Sequence, residues 1–173
     1  MHPTNPDFRE ALLLTVPRLR AFAISLTGNL DRADDLVQET VLRAIENVHR
    51  FEEGTSLQSW TFTILRNLFL SECRKGWREV ADPNSEIAGK VGVIPEQGAR
   101  LDFEDMLGAL KKLSREQREV VLLIGAEGMS YEETAQVCGI TVGTVKSRIN
   151  RGRTRLAELL GADRPYYGSV RAA

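Results

Sequence analysis

Apolar residues in the first half of the chain recur at alternating steps of four and three, which is the spacing of one face of an α-helix. The first apolar stripe consists of Leu12, Val16, Leu19, Ala23 and Leu26. Pro17 lies inside this stripe and has no amide hydrogen to donate, so we expect a kink or two abutting helices there. Gly28 and Asn29 then end the element.

A second helix is predicted to begin with Asp31 as its N-cap, since an aspartate side chain accepts hydrogen bonds from the free amides of a first turn. Asp34 and Asp35 are favourable close to that end, where the helix dipole attracts negative charge. The positions predicted to be buried are Ala33, Val37, Val41, Ala44 and Val48. The opposite side carries Asp35, Gln38, Glu39, Leu42 and Glu46.

A third helix is predicted from about Ser56 to Lys75, after a short turn at residues 52–55. Its apolar stripe predicts burial of Leu57, Trp60 or Thr61, Ile64, Leu65 and Leu68. The period then stops between Gly76 and about Arg100, where prolines and glycines punctuate the sequence. Such a stretch is typical of a flexible linker.

Helical signals resume after residue 100. Ser114 with Gln117 has the pattern of a capping box and opens a helix that is predicted to bury Val120, Val121 and Ile124. Ser130 with Glu133 is a second such box, and Thr141 is the expected N-cap of a last long helix that ends at Gly161. The periodicity therefore predicts an all-α protein: helical domains at residues 1–76 and 101–161, a flexible linker at 77–100 and a frayed tail at 162–173.

The charge distribution changes this picture from a generic helical protein to one with separate binding faces. The formal net charge is only −1, which by itself does not suggest a nucleic-acid binder. Between Thr141 and Leu160, however, five basic residues stand against the single acid Glu158. Acids instead crowd residues 31–39 and 127–133. One basic stripe with separate acidic faces favours two different partners.

Several classes of protein are disfavoured by what the sequence lacks. Cys73 and Cys138 are far apart and have no zinc-ligand spacing, so we expect no metal and no disulfide framework. His2 and His49 belong to no recognisable catalytic motif, and there is no phosphate-binding glycine loop. We therefore expect no enzyme activity, no cofactor and no small-molecule substrate. The absence of a long apolar stretch and of a signal-peptide layout indicates a cytoplasmic protein without a membrane partner.

The segment from Ser130 to Leu160 has the spacing of a helix-turn-helix. Ala135 supplies the small residue of the first helix, and Gly139 supplies a turn residue that tolerates positive φ. Val145 is the apolar anchor of the second helix, with Ile140 and Ile149 completing a small core. An ordinary helical hairpin with a solvated basic face is the alternative, but the combined register, caps and charges favour a DNA reader.

The outward face of the second helix then predicts the residues that enter a major groove or hold phosphates. They are Thr141, Gly143, Thr144, Lys146, Ser147, Arg148, Asn150 and Arg151.

Two motif blocks resemble the extracytoplasmic-function (ECF) sigma factors of the sigma-70 family. The stretches from Gly128 to Ala135 and from Val142 to Arg148 look like region 4 of that family. The stretch from Asp34 to Thr40 is similar to its region 2.2. Residues that fall where regions 2.3 and 2.4 would lie are Phe51, Gly54, Trp60, Arg66, Asn67 and Arg74. The resemblance runs from about Glu10 to Leu160 and looks closest to the general-stress-response subgroup of alphaproteobacteria.

The resemblance implies a sigma factor that binds core RNA polymerase, through its β′ clamp helices and β flap, and directs promoter-specific initiation. Residues 1–76 would be the region 2 domain and residues 101–161 the region 4 domain, which reads the −35 element. The resemblance also implies control by an anti-sigma factor. The residues it points to for polymerase docking are Asp34, Asp35, Gln38, Glu39 and Leu42. Those it points to for the −10 element are Glu53, Thr55, Ser56, Trp60, Arg66, Asn67, Arg74 and Lys75.

Some alternatives stay open at this point. Trp60 could stack on an unpaired base, but its place on the apolar stripe favours a core position. A sigma mimic that only captures an anti-sigma factor is a rival function, although such mimics carry a receiver domain and lack a well-formed docking motif. A stand-alone helix-turn-helix regulator would leave the pattern from Asp31 to Lys75 unexplained.

Overall fold

The computed structural model describes residues 6–52, 54–79 and 105–161, with side chains from Asp7 to Arg74 (except Glu53) and from Asp105 to Gly161. Within these ranges the regular structure is entirely helical, which confirms the all-α prediction. The elements are α1 (Pro6–Thr27), α2 (Leu30–Glu46), a 3-10 turn (Val48–Arg50), α3 (Leu57–Glu79), α4 (residues 105–111), α5 (Arg115–Gly125), α6 (Tyr131–Cys138) and α7 (Val142–Leu159). Of the linker predicted at 77–100, residues 77–79 belong instead to α3, and its remainder lies with the predicted tail outside the described residues.

The helices group into two compact units. α1, α2 and α3 form the first, together with residues 132–140, which hold most of α6. α4, α5 and α7 belong to the second.

The junction between α1 and α2 differs from the predicted one. Gly28 ends α1 with a φ of 65°, and its amide donates to the carbonyl of Ile24 at 2.8 Å. Asn29, and not Asp31, is the N-cap of α2, because its side-chain oxygen accepts from the amide of Arg32 at 2.9 Å. Asp31 lies in the first turn of the helix, where its negative charge is favourable to the helix dipole.

α1 is one continuous helix, so the expectation of two abutting helices at Pro17 is wrong. Residues 13–14, one turn earlier, are exposed, so a backbone carbonyl freed by the proline lies on the solvent side of the helix. The predicted stripe is buried except for Val16, which is half-buried. Phe8 and Phe22 extend it, and Phe22 packs on Phe62 of α3 with ring centroids 5.2 Å apart.

The core of the first unit lies between the three long helices. Phe8 and Leu12 of α1 meet Ala44 of α2 and Val48 of the 3-10 turn. Half-buried apolar side chains pack against this cluster: Val41, Ile45, Leu57, Trp60 and Ile64. The stripe that α2 buries is wider than predicted and includes Leu36 and Thr40, whose hydroxyl donates to the Leu36 carbonyl at 2.7 Å.

The buried face of α3 is rotated relative to the predicted stripe. Thr61, Phe62, Leu65 and Phe69 are buried, whereas most of the predicted positions are only half-buried. Among the alternatives Trp60 or Thr61, the structure therefore buries Thr61 fully and Trp60 partly. The rotation has a packing cause, because it brings Phe62 against Phe22 of α1.

The second unit is organised by contact between α5 and α7. The predicted capping box at the start of α5 is present, with Ser114 accepting from the amide of Gln117 and Gln117 accepting from the amide of Ser114. α5 buries Glu119, Val120 and Leu123, so of the three predicted positions only Val120 is fully buried. Gly152 of α7 meets α5 so closely that a Cβ there would lie 2.7 Å from Cγ2 of Val121.

We predict that Gly152→Ala destabilises the protein relative to Gly143→Ala, a matched change on the same helix. A Cβ at Gly143 meets nothing closer than 3.9 Å, whereas at Gly152 it overlaps a stiff β-branched side chain. Overpacking of this kind costs about 1–3 kcal/mol. Urea denaturation of the two variants measures the difference in unfolding free energy, and equal midpoints with equal slopes would show that the close approach carries no constraint.

Candidate nucleic-acid interface

The turn between α6 and α7 has the local geometry that the sequence predicts. Gly139 has a φ of 63°, and its amide donates to the carbonyl of Gln136 at 3.2 Å. The next amide, of Ile140, donates to the Ala135 carbonyl at 3.0 Å. Thr141 then caps α7 by accepting from the amide of Thr144 at 3.2 Å. α6 is therefore followed by a glycine that needs the left-handed region, and a new helix starts within three residues of it.

α7 separates its side chains into an inner and an outer face. Val145, Ile149 and Gly152 are buried, as the first two were predicted to be. Six of the eight predicted DNA-binding residues are exposed and the other two, Thr144 and Arg148, are half-buried. The exposed six are Thr141, Gly143, Lys146, Ser147, Asn150 and Arg151.

Charge on α7 is concentrated toward its outer side. Arg155 pairs with Glu158 at 2.8 Å near the end of the helix. Arg148 lies near Glu116 at the start of α5. The pKa of Glu116 is lowered mainly by hydrogen bonding to the backbone there, and Arg115 and Arg148 contribute to the lowering. Arg148 is half-buried, which leaves Lys146 and Arg151 as the more accessible cations of the predicted set.

The acidic face of α2 is divided between open and paired side chains. Asp35, Gln38 and Leu42 are exposed, and 56% of Leu42 is accessible to solvent. Glu39 accepts from Nε of Arg43 at 2.8 Å. Asp34 accepts two hydrogen bonds from Arg20 of α1, from Nε at 2.6 Å and from Nη2 at 3.1 Å.

Arg20 is a residue that the sequence pattern missed. Its hydrogen bonds lower the pKa of Asp34 below its ordinary value, and its positive charge adds to the effect. No local signal marks it, because the two residues are 14 positions apart on different helices. Three of the five predicted docking residues are thus open to a partner, and two are held by arginines of the same unit.

The predicted −10 residues occupy two different environments. Gly54, with a φ of 90°, shapes the turn before α3, and the amide of Thr55 donates to the Glu52 carbonyl at 3.2 Å. Thr55 is exposed, whereas the Ser56 hydroxyl accepts from the amide of Ser59 at 3.2 Å and so caps α3. The side chains of Glu53 and Lys75 lie outside the described residues.

On α3 itself, Trp60 and Asn67 line a cleft of about 380 Å³. Its other lining residues are Arg43, Asn47, Arg50, Ile64 and Leu68. The remaining predicted −10 residues, Arg66 and Arg74, are not part of this lining. Trp60 packs against Phe51 with ring centroids 5.3 Å apart. It therefore both lines the cleft and packs against the core. The contributions of α2 and the 3-10 turn were not predicted.

No described residues are grouped so that they could hold a metal ion. No helix in the same part of the chain has the length and apolarity to cross a membrane.

Comparison with known proteins identifies the family. Residues 14–79 match sigma-70 region 2, and residues 103–156 match sigma-70 region 4. The chain is 53% identical over 161 residues to the ECF RNA polymerase sigma factor EcfG of Rhodopseudomonas palustris, covering 93% of this chain and 89% of that protein. The chain belongs to the ECF sigma factors of the sigma-70 family, a class that is not catalytic.

Solved structures give the same family. The sigma factor RpoE from Bartonella quintana, solved in complex with the anti-sigma factor NepR, is 49% identical with a TM-score of 0.82 and covers 92% of this chain and 100% of its own. CnrH, solved with the cytosolic domain of CnrY, is 28% identical with a TM-score of 0.65, over 93% of this chain and 92% of its own.

We predict that Arg20→Gln raises the pKa of Asp34 toward its ordinary value. The ion pair lowers the pKa of Asp34 in the folded protein, so it stabilises the fold at neutral pH. This stabilisation is lost as the pH falls from the ordinary pKa of an aspartate through the lowered pKa of Asp34. Arg20→Gln should therefore lose less stability over that acidic window than the parent protein. Carbon-13 NMR titration of the Asp34 carboxyl measures the shift. Arg32→Gln is the matched control, because Arg32 meets Glu72 instead, at 3.6 Å.

Proposed function

We propose that this protein binds core RNA polymerase and directs initiation at a defined set of promoters, with region 4 reading the −35 element and region 2 the −10 element. The observation that carries the proposal is the two-faced α7, whose inner row is buried while a capped, basic outer row is exposed. Core polymerase supplies all of the chemistry. Residues 116–119 and 124–130 look closest to the general-stress-response subgroup of the family, which supports promoters of the general stress response.

α7 acts as the recognition helix in this proposal. Gly143, Ser147 and Asn150 are small or polar side chains that can approach base edges in a major groove. Lys146 and Arg151 hold phosphates, with Arg148 and Thr144 in supporting positions and Thr141 at the capped N-terminus. The backbone amides at that end add a favourable site for a phosphate group.

α2 acts as the polymerase-docking helix. Its exposed leucine surrounded by Asp35 and Gln38 suits a basic coiled-coil partner, as the β′ clamp helices are expected to be. Asp34 and Glu39 contribute in a different way, because a basic partner has to compete with Arg20 and Arg43 for them. The β flap is the proposed partner of region 4.

An anti-sigma factor is the proposed regulator. Support comes from two relatives, RpoE and CnrH, which were solved with NepR and with the cytosolic domain of CnrY. Exposed Leu42 amid the docking acids gives such a regulator a surface that overlaps the one used by polymerase. We place the protein in the cytoplasm, where core polymerase and promoters are.

Run-off transcription tests the proposal as a whole. Purified chain with core RNA polymerase should yield a transcript from a cognate promoter, and core enzyme alone should not. A chain that binds an anti-sigma factor but supports no transcript from any candidate promoter would instead be a sigma mimic.

Point variants separate the two surfaces. Lys146→Ala and Arg151→Ala should each weaken binding of holoenzyme to −35 DNA, because each removes a phosphate contact. Each should also make the slope of the logarithm of the binding constant against the logarithm of the salt concentration shallower by about one. Polymerase association should stay unchanged in both variants, and loss of polymerase binding in either would contradict the role given to α7.

Asp35→Arg tests the docking surface of α2. It should impair association with core enzyme in a pull-down while circular dichroism shows an intact fold.

A further inference from the structure

Three glycines lie between Ser130 and Leu160, and two of them have a reason within the fold. Gly139 has a φ of 63°, which residues with a side chain rarely adopt, and a Cβ at Gly152 would overlap a side chain of α5. Gly143 shares neither property. It lies in the first turn of α7 and has no positive φ, so its backbone conformation is open to any residue.

The surroundings of Gly143 in the described part of the chain would also admit a side chain. A Cβ built there would meet only the Thr141 hydroxyl oxygen, at 3.9 Å, which is an ordinary van der Waals distance. The residue is exposed to solvent. Glycine in a helix is less stable than alanine, because an unfolded chain with glycine has more conformations to lose. Gly143 therefore destabilises α7, and no described contact requires it.

The face of α7 that carries Gly143 is the one proposed to meet DNA. Residues three, four and seven positions further along a helix share a face, and here they are Lys146, Ser147 and Asn150. All three are exposed. Side-chain size on this face falls toward the N-terminus, from Asn150 through Ser147 to the bare backbone of Gly143. A face that tapers in this way can bring the start of its helix nearer to a ligand than the rest.

The distribution of charge along α7 favours the same end. The one acid between Thr141 and Leu160 is Glu158, in the last turn of the helix, where Arg155 donates to it at 2.8 Å. The first turn thus presents no carboxylate to the phosphates of DNA. Glycine is the residue that proteins use where a backbone has to approach a ligand closely. The constraint on residue 143 therefore comes from outside the chain.

We propose that Gly143 is the point at which α7 comes closest to the −35 element, with its bare backbone against the edge of one base pair in the major groove. A Cβ there would hold the helix out of the groove. Residue 143 thus determines how deeply α7 enters and which base edges Ser147 and Asn150 can reach. This inference deepens the proposed function and rests on it. It also makes α7 a helix whose stability is lowered by its fit to DNA.

The test compares Gly143→Ala with Gly125→Ala, a matched change in the same unit. Gly125 is the last residue of α5, is exposed, and a Cβ there would meet nothing within 4 Å. Both changes should raise the midpoint of thermal unfolding by about 1–4 °C, because alanine restricts the unfolded chain. Circular dichroism of the free chain measures both midpoints.

Binding to DNA should separate the two variants. Holoenzyme is assembled from each variant with core RNA polymerase, and its dissociation constant is measured on duplex promoter DNA with the −35 element intact or scrambled. On the intact promoter, Gly143→Ala should bind about 5- to 150-fold more weakly than the parent, the usual effect of one mismatched base pair. Gly125→Ala should bind like the parent. With the −35 element scrambled, the parent and both variants should bind alike.

A longer side chain at the same position tests the steric cause. Gly143→Gln introduces a good helix former, so it should keep the fold, yet it should weaken binding more than alanine does because it is larger. Replacing each −35 base pair in turn then locates the contact. One replacement should cause a smaller loss in Gly143→Ala than in the parent, because the variant has already lost the fit at that base pair.

Three results would overturn the assignment. Unchanged binding of the intact promoter by either Gly143 variant would show that the position faces solvent in the complex. A lower unfolding midpoint for Gly143→Ala would show that the glycine has a role within the fold. Loss of binding to core polymerase would place residue 143 on a polymerase surface instead. If the parent holoenzyme fails to initiate from duplex promoter, the proposed function itself is wrong, so the two failures are distinguishable.

Discussion

Each helix in the described parts of this chain buries one row of side chains, and that row decides which residues stay available to partners. α5 has eleven residues and α6 only eight, so neither gains much stability from its own hydrogen bonds, and in proteins most helical stability comes from packing of an apolar face. Burial supplies it instead, by Phe22 against Phe62 in the first unit and by Gly152 against Val121 in the second. Once those contacts set the rotation of each helix, the acidic row of α2 and the basic row of α7 have to face outward.

The distribution of charge limits nonspecific binding by both the acidic row of α2 and the basic row of α7. The net charge of −1 limits nonspecific attraction to DNA, which is mostly electrostatic. Arg20 and Arg43 occupy Asp34 and Glu39 within the folded unit. A basic partner therefore has to replace existing ion pairs, which favours a partner that matches the entire face over a single stray cation.

Local rules predicted the parts of this structure that depend on neighbours in the chain. The Thr141 cap, the Ser114 box and the positive φ of Gly139 follow from a few adjacent residues. The errors share another cause. The rotation of α3 and the width of the buried stripe on α2 depend on contacts between helices, and the period of one helix does not contain them. The Arg20–Asp34 pair and the contribution of α2 to the cleft were not predicted from the sequence for the same reason, since each joins residues from different elements.

The residues of α7 that pack against α5 are different from the residues that α7 exposes to a partner. The orientation of α7 depends on its inner residues, Val145, Ile149 and Gly152, and on the Thr141 cap. Substitutions at exposed Lys146, Ser147 or Asn150 leave these contacts untouched. With α7 in its proposed role as the recognition helix, gene duplicates of such a chain could change promoter preference through single surface substitutions while their fold stays the same.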